Sequence, residues 1–335
     1  MNLTIKDIAK LANVSYATVS RALNDSKEIS EKTKQKILTI CKEVNYSPNA
    51  IARGLVKNTT HTIGLIMPDI SNPFFPEVAL GIEGEAARMD YNVFLCNTNY
   101  NIKRELSYIN LLLERRVEGI IISSVSDETI NYFNKYIDHI PIVYVGSNPK
   151  NDKCDYVATD NIKAGYIATD YLIKLGHKKI AFIGGTSVSN SHCDRIKGFK
   201  KAFQEHNILP DIELIRNSDF KRKSGYQITK FLIKEKNIPT AIIAANDVVA
   251  LGVIEACDEM GILIPDTISI IGFDDIPYAS LPKIMLTTIA QSKYDLGKIA
   301  VETIFKTINN KGKKNTVIKK ILDPELIIRK TCKHL

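Results

Sequence analysis

The chain has 335 residues, 44% of them hydrophobic and 24% charged, with a net charge of +8. At roughly one domain per 150 residues this length holds two or three domains, and the apolar fraction excludes a chain kept disordered for want of a core. No apolar run approaches the ~20 residues that cross a bilayer, the start Met1–Asp7 carries no export signal, and the six cysteines form no C-x-x-C pair, so a cytoplasmic protein with reduced thiols and no membrane partner is expected.

The charge is unevenly placed. Residues 1–60 hold ten Lys and Arg against five Asp and Glu, whereas the other 275 hold 35 against 32. A basic segment of that kind suits a phosphate backbone, although a solvated surface shows the same excess. From Thr4 to about Val44 the apolar spacing predicts three short helices. Thr4 caps the first, with Asp7 three residues on, and Ile5, Ile8, Ala9 and Ala12 line one face. Ser15 caps a second helix through Leu23, with Val19, Ala22 and Leu23 inward and Tyr16, Ala17, Ser20 and Arg21 outward. A third starts at Ser30 and buries Ile37, Ile40, Cys41 and Val44. Two helices joined by a tight turn make a helix-turn-helix, whose second helix can enter a major groove and offer Tyr16, Ala17 and Arg21 to base edges. A small packing bundle without a ligand fits the same spacing.

Residues 47–55 read as a helix of about eight residues, with Ser47 as N-cap, Pro48 at the first position and Gly54 weakening it. Such a helix is too short to be stable alone. It suits a hinge that folds on DNA, with Leu55 free to wedge into the minor groove, and equally an ordinary linker.

From Thr62 onward short apolar runs alternate with amphipathic ones. Strands are predicted at Ile63–Met67, Val93–Cys96, Gly119–Ser123, Ile142–Val145, Lys179–Ile183, Ala241–Ala244 and Ser269–Phe273. Helices are predicted near Phe75–Met89, Lys103–Arg116, Asn161–Leu175, Asp194–His206, Gly225–Lys236, Asp247–Met260 and Tyr294–Asn309. This alternation predicts two parallel sheets covered by helices, with Leu286–Gln291 onward crossing back to the first lobe. Ligands of such sheets bind beyond the carboxyl ends of strands. The residues found there include Asp69, Asn72, Phe74, Phe75, Asn97, Ser123, Asp160, Asn246 and Asp274, with Arg195 one loop further on. Amides, carboxylates, one guanidinium and aromatic faces suit a neutral polyol. Asp and Asn after a strand also commonly cap the next helix, and Asp247 reads as such a cap.

The strings Thr4-Ile5-Lys6-Asp7-Ile8-Ala9 and Val14-Ser15-Tyr16-Ala17-Thr18-Val19-Ser20-Arg21-Ala22-Leu23-Asn24 resemble the N-terminus of the lactose-repressor/galactose-repressor family. Tyr46-Ser47-Pro48-Asn49-Ala50-Ile51-Ala52-Arg53, Pro68–Phe75, Gly176–Ile180, Arg195–Phe199, Asn246-Asp247 and Ile271–Asp275 follow in family order. The resemblance implies an all-α helix-turn-helix headpiece over 1–46 and a hinge over 47–60. It also implies a periplasmic-binding-protein-like α/β effector domain over 61–335, with a first lobe of 61–159 and 291–320 and a second of 160–290 and 321–335. It further implies DNA contacts from Thr4, Ser15, Tyr16, Ala17, Thr18, Ser20, Arg21, Asn24 and Ser30, and from Asn49, Ala52, Arg53 and Leu55 of the hinge. Effector contacts are implied at Asn72, Phe74, Phe75, Ser123, Asp160, Arg195, Phe220, Asn246 and Asp274, with Phe74 or Phe75 and Phe220 as stacking rings. The partners implied are a near-palindromic operator, a second copy of the chain and a small-molecule effector.

Two departures qualify the resemblance. Gly54 stands where a better helix former is usual, and the chain ends without a leucine heptad, so a dimer is expected. A sugar is the first expectation for the effector, a purine corepressor between Phe74 and Phe220 the second, and a phosphorylated carrier protein a third mode of control. A secreted sugar-binding protein would have no use for residues 1–60. An enzyme finds no G-x-S-x-G, no phosphate loop and no H-E-x-x-H, so no catalysis, cofactor or metal is expected.

Overall fold

Three helices open the chain: α1 (Ile5–Ala12), α2 (Tyr16–Leu23) and α3 (Glu31–Glu43). Ile8, Ala12, Val19 and Ile37 are fully buried where the three meet, the larger Ile8, Val19 and Ile37 side chains each contributing about 1.5–3 kcal/mol if wholly withdrawn from water. Ile5, Leu23, Ile40 and Val44, expected inside, pack only partly buried against that core. The computed structural model describes residues 3–26, 28–46, 59–123, 127–133, 140–186, 189–235, 238–309 and 316–335. The expected hinge contacts Asn49, Ala52, Arg53 and Leu55 lie outside the described residues. Residues 1–60 form one unit and 61–335 another.

In the second unit the strands are β1 (Thr62–Met67), β2 (Asn92–Asn97), β3 (Gly119–Ile122), β4 (Ile142–Val145), β5 (Asp155–Thr159), β6 (Ile180–Ile183), β7 (Ile215–Arg216), β8 (Ala241–Ala244), β9 (Ser269–Asp274), β10 (Thr287–Ala290), β11 (Lys319–Leu322) and β12 (Glu325–Ile327). They form two sheets, ordered β11-β5-β4-β3-β1-β2 and β12-β10-β9-β8-β6-β7. The pairings are parallel except β10 against β12, which is antiparallel. The helices are α4 (Phe74–Arg88), α5 (Ile102–Glu114), α6 (Asp127–Phe133), α7 (Asn161–Lys174), α8 (Asn190–Glu205), α9 (Arg222–Lys234), α10 (Asp247–Glu259) and α11 (Lys293–Asn309).

Both faces of each sheet are covered, which is why the strands read as unbroken apolar runs. Alternation within β1 shows it directly: Ile63, Leu65 and Met67 join one core, with α4 and α11, and Ile66 joins the opposite one. The second sheet divides in the same way, Phe182 and Phe273 on one side and Ala181 and Ile270 on the other.

The chain passes to the second lobe after β5, returns at α11, and crosses a third time after β11. Leu286–Gln291, expected to be the return itself, instead contains β10, paired to β9 by Thr287↔Ile271. Two consecutive threonines hid it, but both are fully buried and β-branched residues suit a strand. The first sheet's last strand runs to Leu322, two residues past the expected boundary at 320. Helix α8 starts at Asn190, four residues before the expected Asp194, because the Ser189 hydroxyl accepts the His192 N–H and caps it.

Candidate functional site

Helix α1 starts in a capping box. The Thr4 N–H and hydroxyl both donate to the Asp7 carboxylate, at 2.8 and 2.7 Å, and those bonds hold the Asp7 carboxyl below its usual range. The helix ends at Asn13, whose left-handed backbone (φ 52°) turns the chain and whose residue type tolerates that region. Ser15 Oγ then accepts the Thr18 N–H at 3.1 Å and starts α2. With Val19 and Ala22 buried, α2 turns Tyr16, Ala17 and Arg21 to solvent and leaves Ser20 half-buried. Arg21 Nε lies 3.3 Å from Glu28 Oε2, both side chains more than half exposed. Thr18 Oγ1 shares a 2.8 Å hydrogen bond with Ser15, Asn24 Nδ2 donates to Ser20 O, and Ser30 caps α3 by accepting the Thr33 N–H. This is a tight helix-turn-helix with one exposed polar face on its second helix.

The second site is a cleft between the two sheets' carboxyl ends, enclosing about 540 Å³ of empty space, part of it open to solvent. On its second-lobe side Arg195 comes from α8. Its Nε donates to Asn161 Oδ1 at 2.8 Å and its Nη1 to the carbonyl of Ala245. The guanidinium carbon sits 4.4 Å from the Phe273 ring centre, a cation–π contact. Nη2 faces Asp274 Oδ1 at 3.9 Å. Both residues are nearly buried, at 7% and 4% exposure. Burial pushes the Asp274 carboxyl up to about 6, with Arg195 the main opposing influence, and the same burial lowers Arg195. Asp274 has a left-handed backbone (φ 106°). Gln291 Nε2 donates to its Oδ1 at 2.6 Å, and Lys293 Nζ donates to the carbonyls of Asp274 and Asp275, both at 2.7 Å. Gln291 Oε1 is buried without a hydrogen-bond partner among the described residues, so a ligand donor at that point would satisfy it.

Asn246 Oδ1 accepts the Val249 N–H at 2.7 Å and caps α10, while its Nδ2 donates to Phe220 O at 3.3 Å. Asp247, the cap expected from sequence, instead accepts from Thr288 Oγ1 and the Ile276 N–H. It is fully buried, and burial raises its carboxyl well above the usual range. Buried His192 accepts the Gly185 N–H on Nδ1, and burial lowers it to about 4, so at neutral pH the ring is uncharged with its proton on Nε2. Across the cleft, Asn72 Oδ1 accepts the Phe74 N–H at 3.1 Å, and the Phe74 and Phe75 rings meet edge to face at 5.1 Å. Both belong to the first lobe's core. The ring that faces Phe220 is Tyr100, stacked at 6.0 Å and 11° from parallel.

Residues 4–49 match the bacterial regulatory proteins of the lacI family, and residues 60–330 match the periplasmic binding proteins and sugar binding domain of the LacI family. The chain belongs to the LacI family. It is 38% identical over 334 residues to the HTH-type transcriptional repressor PurR of Histophilus somni (strain 129Pt), 99% of each chain. The lac repressor dimer bound to operator and the anti-inducer ONPF is similar at a TM-score of 0.89 and 27% identity, over 99% of this chain and 100% of that one. A LacI family regulator from Enterococcus faecium with bound ribose is similar at 0.71 and 31% identity, over 82% and 99%. Like these LacI-family proteins, the chain is a DNA-binding transcriptional regulator with a two-lobed α/β body.

Of the nine cleft residues that LacI-family resemblance implied, the structure brings eight together: Asn72, Phe74, Phe75, Ser123, Arg195, Phe220, Asn246 and Asp274. Asp160 is the exception. Its carboxylate accepts the Lys163 N–H at 2.9 Å and caps α7, away from the cleft lining. Phe74 and Phe220, expected to sandwich a ring, both line the cleft, and the ring stacked on Phe220 is Tyr100. Tyr100, Ser147, Ser189, Ser191 and Gln291 also line the cleft and were missed. Tyr100 stands three residues past the end of β2 and Gln291 directly after β10, so both follow the strand-end rule that marks the other cleft residues.

Proposed function

We propose that this regulator represses transcription in the cytoplasm as a homodimer on a near-palindromic operator, and that a neutral sugar in the cleft sets its operator affinity. Two copies related by a two-fold axis impose two-fold symmetric half-sites. In each, Tyr16, Ala17 and Arg21 read bases, Ser20 meets a base or a phosphate, Thr4, Ser15, Thr18, Asn24 and Ser30 line the DNA backbone, and hinge residues Asn49, Ala52, Arg53 and Leu55 take the minor groove.

The observation that carries the sugar reading is the balanced pair at the cleft floor. Arg195 and Asp274, both buried and 3.9 Å apart, offer a donor and an acceptor with no net charge, which suits adjacent hydroxyls. The relative bound to ribose supports the same class. To change operator affinity tenfold the sugar need favour one conformation by only about 1.4 kcal/mol. Selection of duplexes from a random pool by the full chain tests this. Enriched sequences should be near-palindromes, and one or more neutral sugars should change their retention. Enrichment of sites without two-fold symmetry, or retention indifferent to all sugars, would defeat it.

A further inference from the structure

Tyr100 belongs to the first lobe, in the turn between β2 and α5, and Phe220 to the second, between β7 and α9. Their rings lie 6.0 Å apart and 11° from parallel. A ring held between them would need about 7 Å, two van der Waals spacings of about 3.5 Å, so the pair forms a contact across the cleft and leaves no slot. Of these four cleft-lining residues, Arg195 and Asp274 are buried while Tyr100 and Phe220 are half-buried, so the rings are the part of this lining that solvent reaches.

Both rings are fixed from behind. Asn99 and Tyr100 are left-handed, at φ 53° and 56°, and the Tyr100 N–H donates to Pro68 O. Phe220 is left-handed at φ 63°, its N–H donates to Ser218 Oγ, and its ring rests on Gly185, where a Cβ would lie 1.8 Å from it. Such backbones persist only where the surroundings hold them. The two rings therefore part chiefly when the lobes part. Beneath them, Arg195 is the one cationic side chain among the described residues that line the cleft, and it already faces Asp274. Lys293 is turned to Glu77, at 3.4 Å, and to main-chain carbonyls. A phosphorylated ligand finds no cation free to receive it there.

We propose that Tyr100 and Phe220 form a cross-lobe lid that restricts the cleft to a neutral ligand one sugar ring in size and bars longer saccharides. The proposal rests on the cleft being the effector site. Titration calorimetry on the full chain tests it with D-ribose, D-glucose, D-galactose, maltose, cellobiose, lactose, adenine and glucose 6-phosphate. At least one monosaccharide should bind saturably and every disaccharide at least 100-fold more weakly than it. Tyr100→Ala should narrow that ratio at least tenfold, and Tyr100→Phe, which keeps the ring, should preserve it.

A disaccharide bound by the wild type less than 100-fold more weakly than the tightest-binding monosaccharide overturns the lid, as does a ratio that Tyr100→Ala narrows by less than tenfold. Saturable binding of adenine or glucose 6-phosphate alone, or of none of the eight, also overturns it. Arg195→Ala separates the two levels. If it abolishes sugar binding while Tyr100→Ala leaves the ratio intact, only the lid fails; if sugar still binds it unchanged, the cleft is not the site.

Discussion

Gly165 on α7 lies directly against the main chain of Arg195 on α8: a Cβ at position 165 would sit 2.0 Å from the Arg195 carbonyl oxygen. The contact sets how closely the two helices pack and so where the guanidinium enters the cleft. On helix propensity alone alanine would stabilise α7 by about 1 kcal/mol. Here the clash is with backbone that cannot rotate away, and overpacking of that kind costs about 1–3 kcal/mol. Gly165→Ala should therefore lower stability in urea unfolding and weaken sugar binding. A stabilised variant with unchanged binding would show that the helices separate freely.

Arg21 is available to DNA because its tether is weak. Its partner Glu28 is exposed, and exposed pairs contribute only about 0–1 kcal/mol. If Arg21 reads a guanine edge, Arg21→Ala should cost about 1–3 kcal/mol of operator binding and relax preference at one base pair per half-site. Binding to randomised duplexes reads both effects. Unchanged sequence preference would reduce Arg21 to a phosphate contact.

Two basic side chains of α3, Lys34 and Lys36, behave differently. Lys36 Nζ donates to Ala12 O at 2.8 Å, the carboxyl end of α1, and Lys34 Nζ is held by Asp25. A cation at a helix carboxyl end contributes about 0.3–1 kcal/mol. Lys36→Ala should lower headpiece stability by that amount and leave the salt dependence of operator binding unaltered. A slope smaller by about one unit per half-site would instead make Lys36 a phosphate contact.

Sequence pattern carried the architecture and most of the cleft because one rule served both: apolar runs become strands, and the residues just beyond their carboxyl ends meet at one end of the sheet. Asn72, Asn246 and Asp274 obey it. Asp160 satisfies the same rule and fails, because a carboxylate after a strand looks alike in sequence whether it meets a ligand or the Lys163 N–H. Tyr100 was hidden for a different reason. Its place opposite Phe220 depends on two successive left-handed residues, Asn99 and Tyr100, and no periodicity encodes them. Ser189 and Ser191 were missed because the start of α8 was placed at Asp194, after the serine that caps it.

Asp274 makes the cleft sensitive to acid. Burial raises its carboxyl to about 6 in the folded chain, against about 3.9 when unfolded. Between those values the folded state holds more protons than the unfolded one, so stability falls as pH rises through that window, by about 3 kcal/mol once both are ionised. Asp274→Asn does not titrate, so raising the pH from 4 to 7 should shift the stability difference between variant and wild type toward the variant. Sugar binding should move the other way. An ionised carboxylate beside Arg195 accepts hydroxyl protons better than a neutral acid, so sugar affinity should be full at pH 7 and weaken below about 6. Calorimetric titration with the sugar at half-unit steps from pH 5 to 8 reads this directly, with the Asp274→Asn chain as reference. Affinity that stays flat across the range in the wild type would remove the Asp274 carboxylate from the binding contacts.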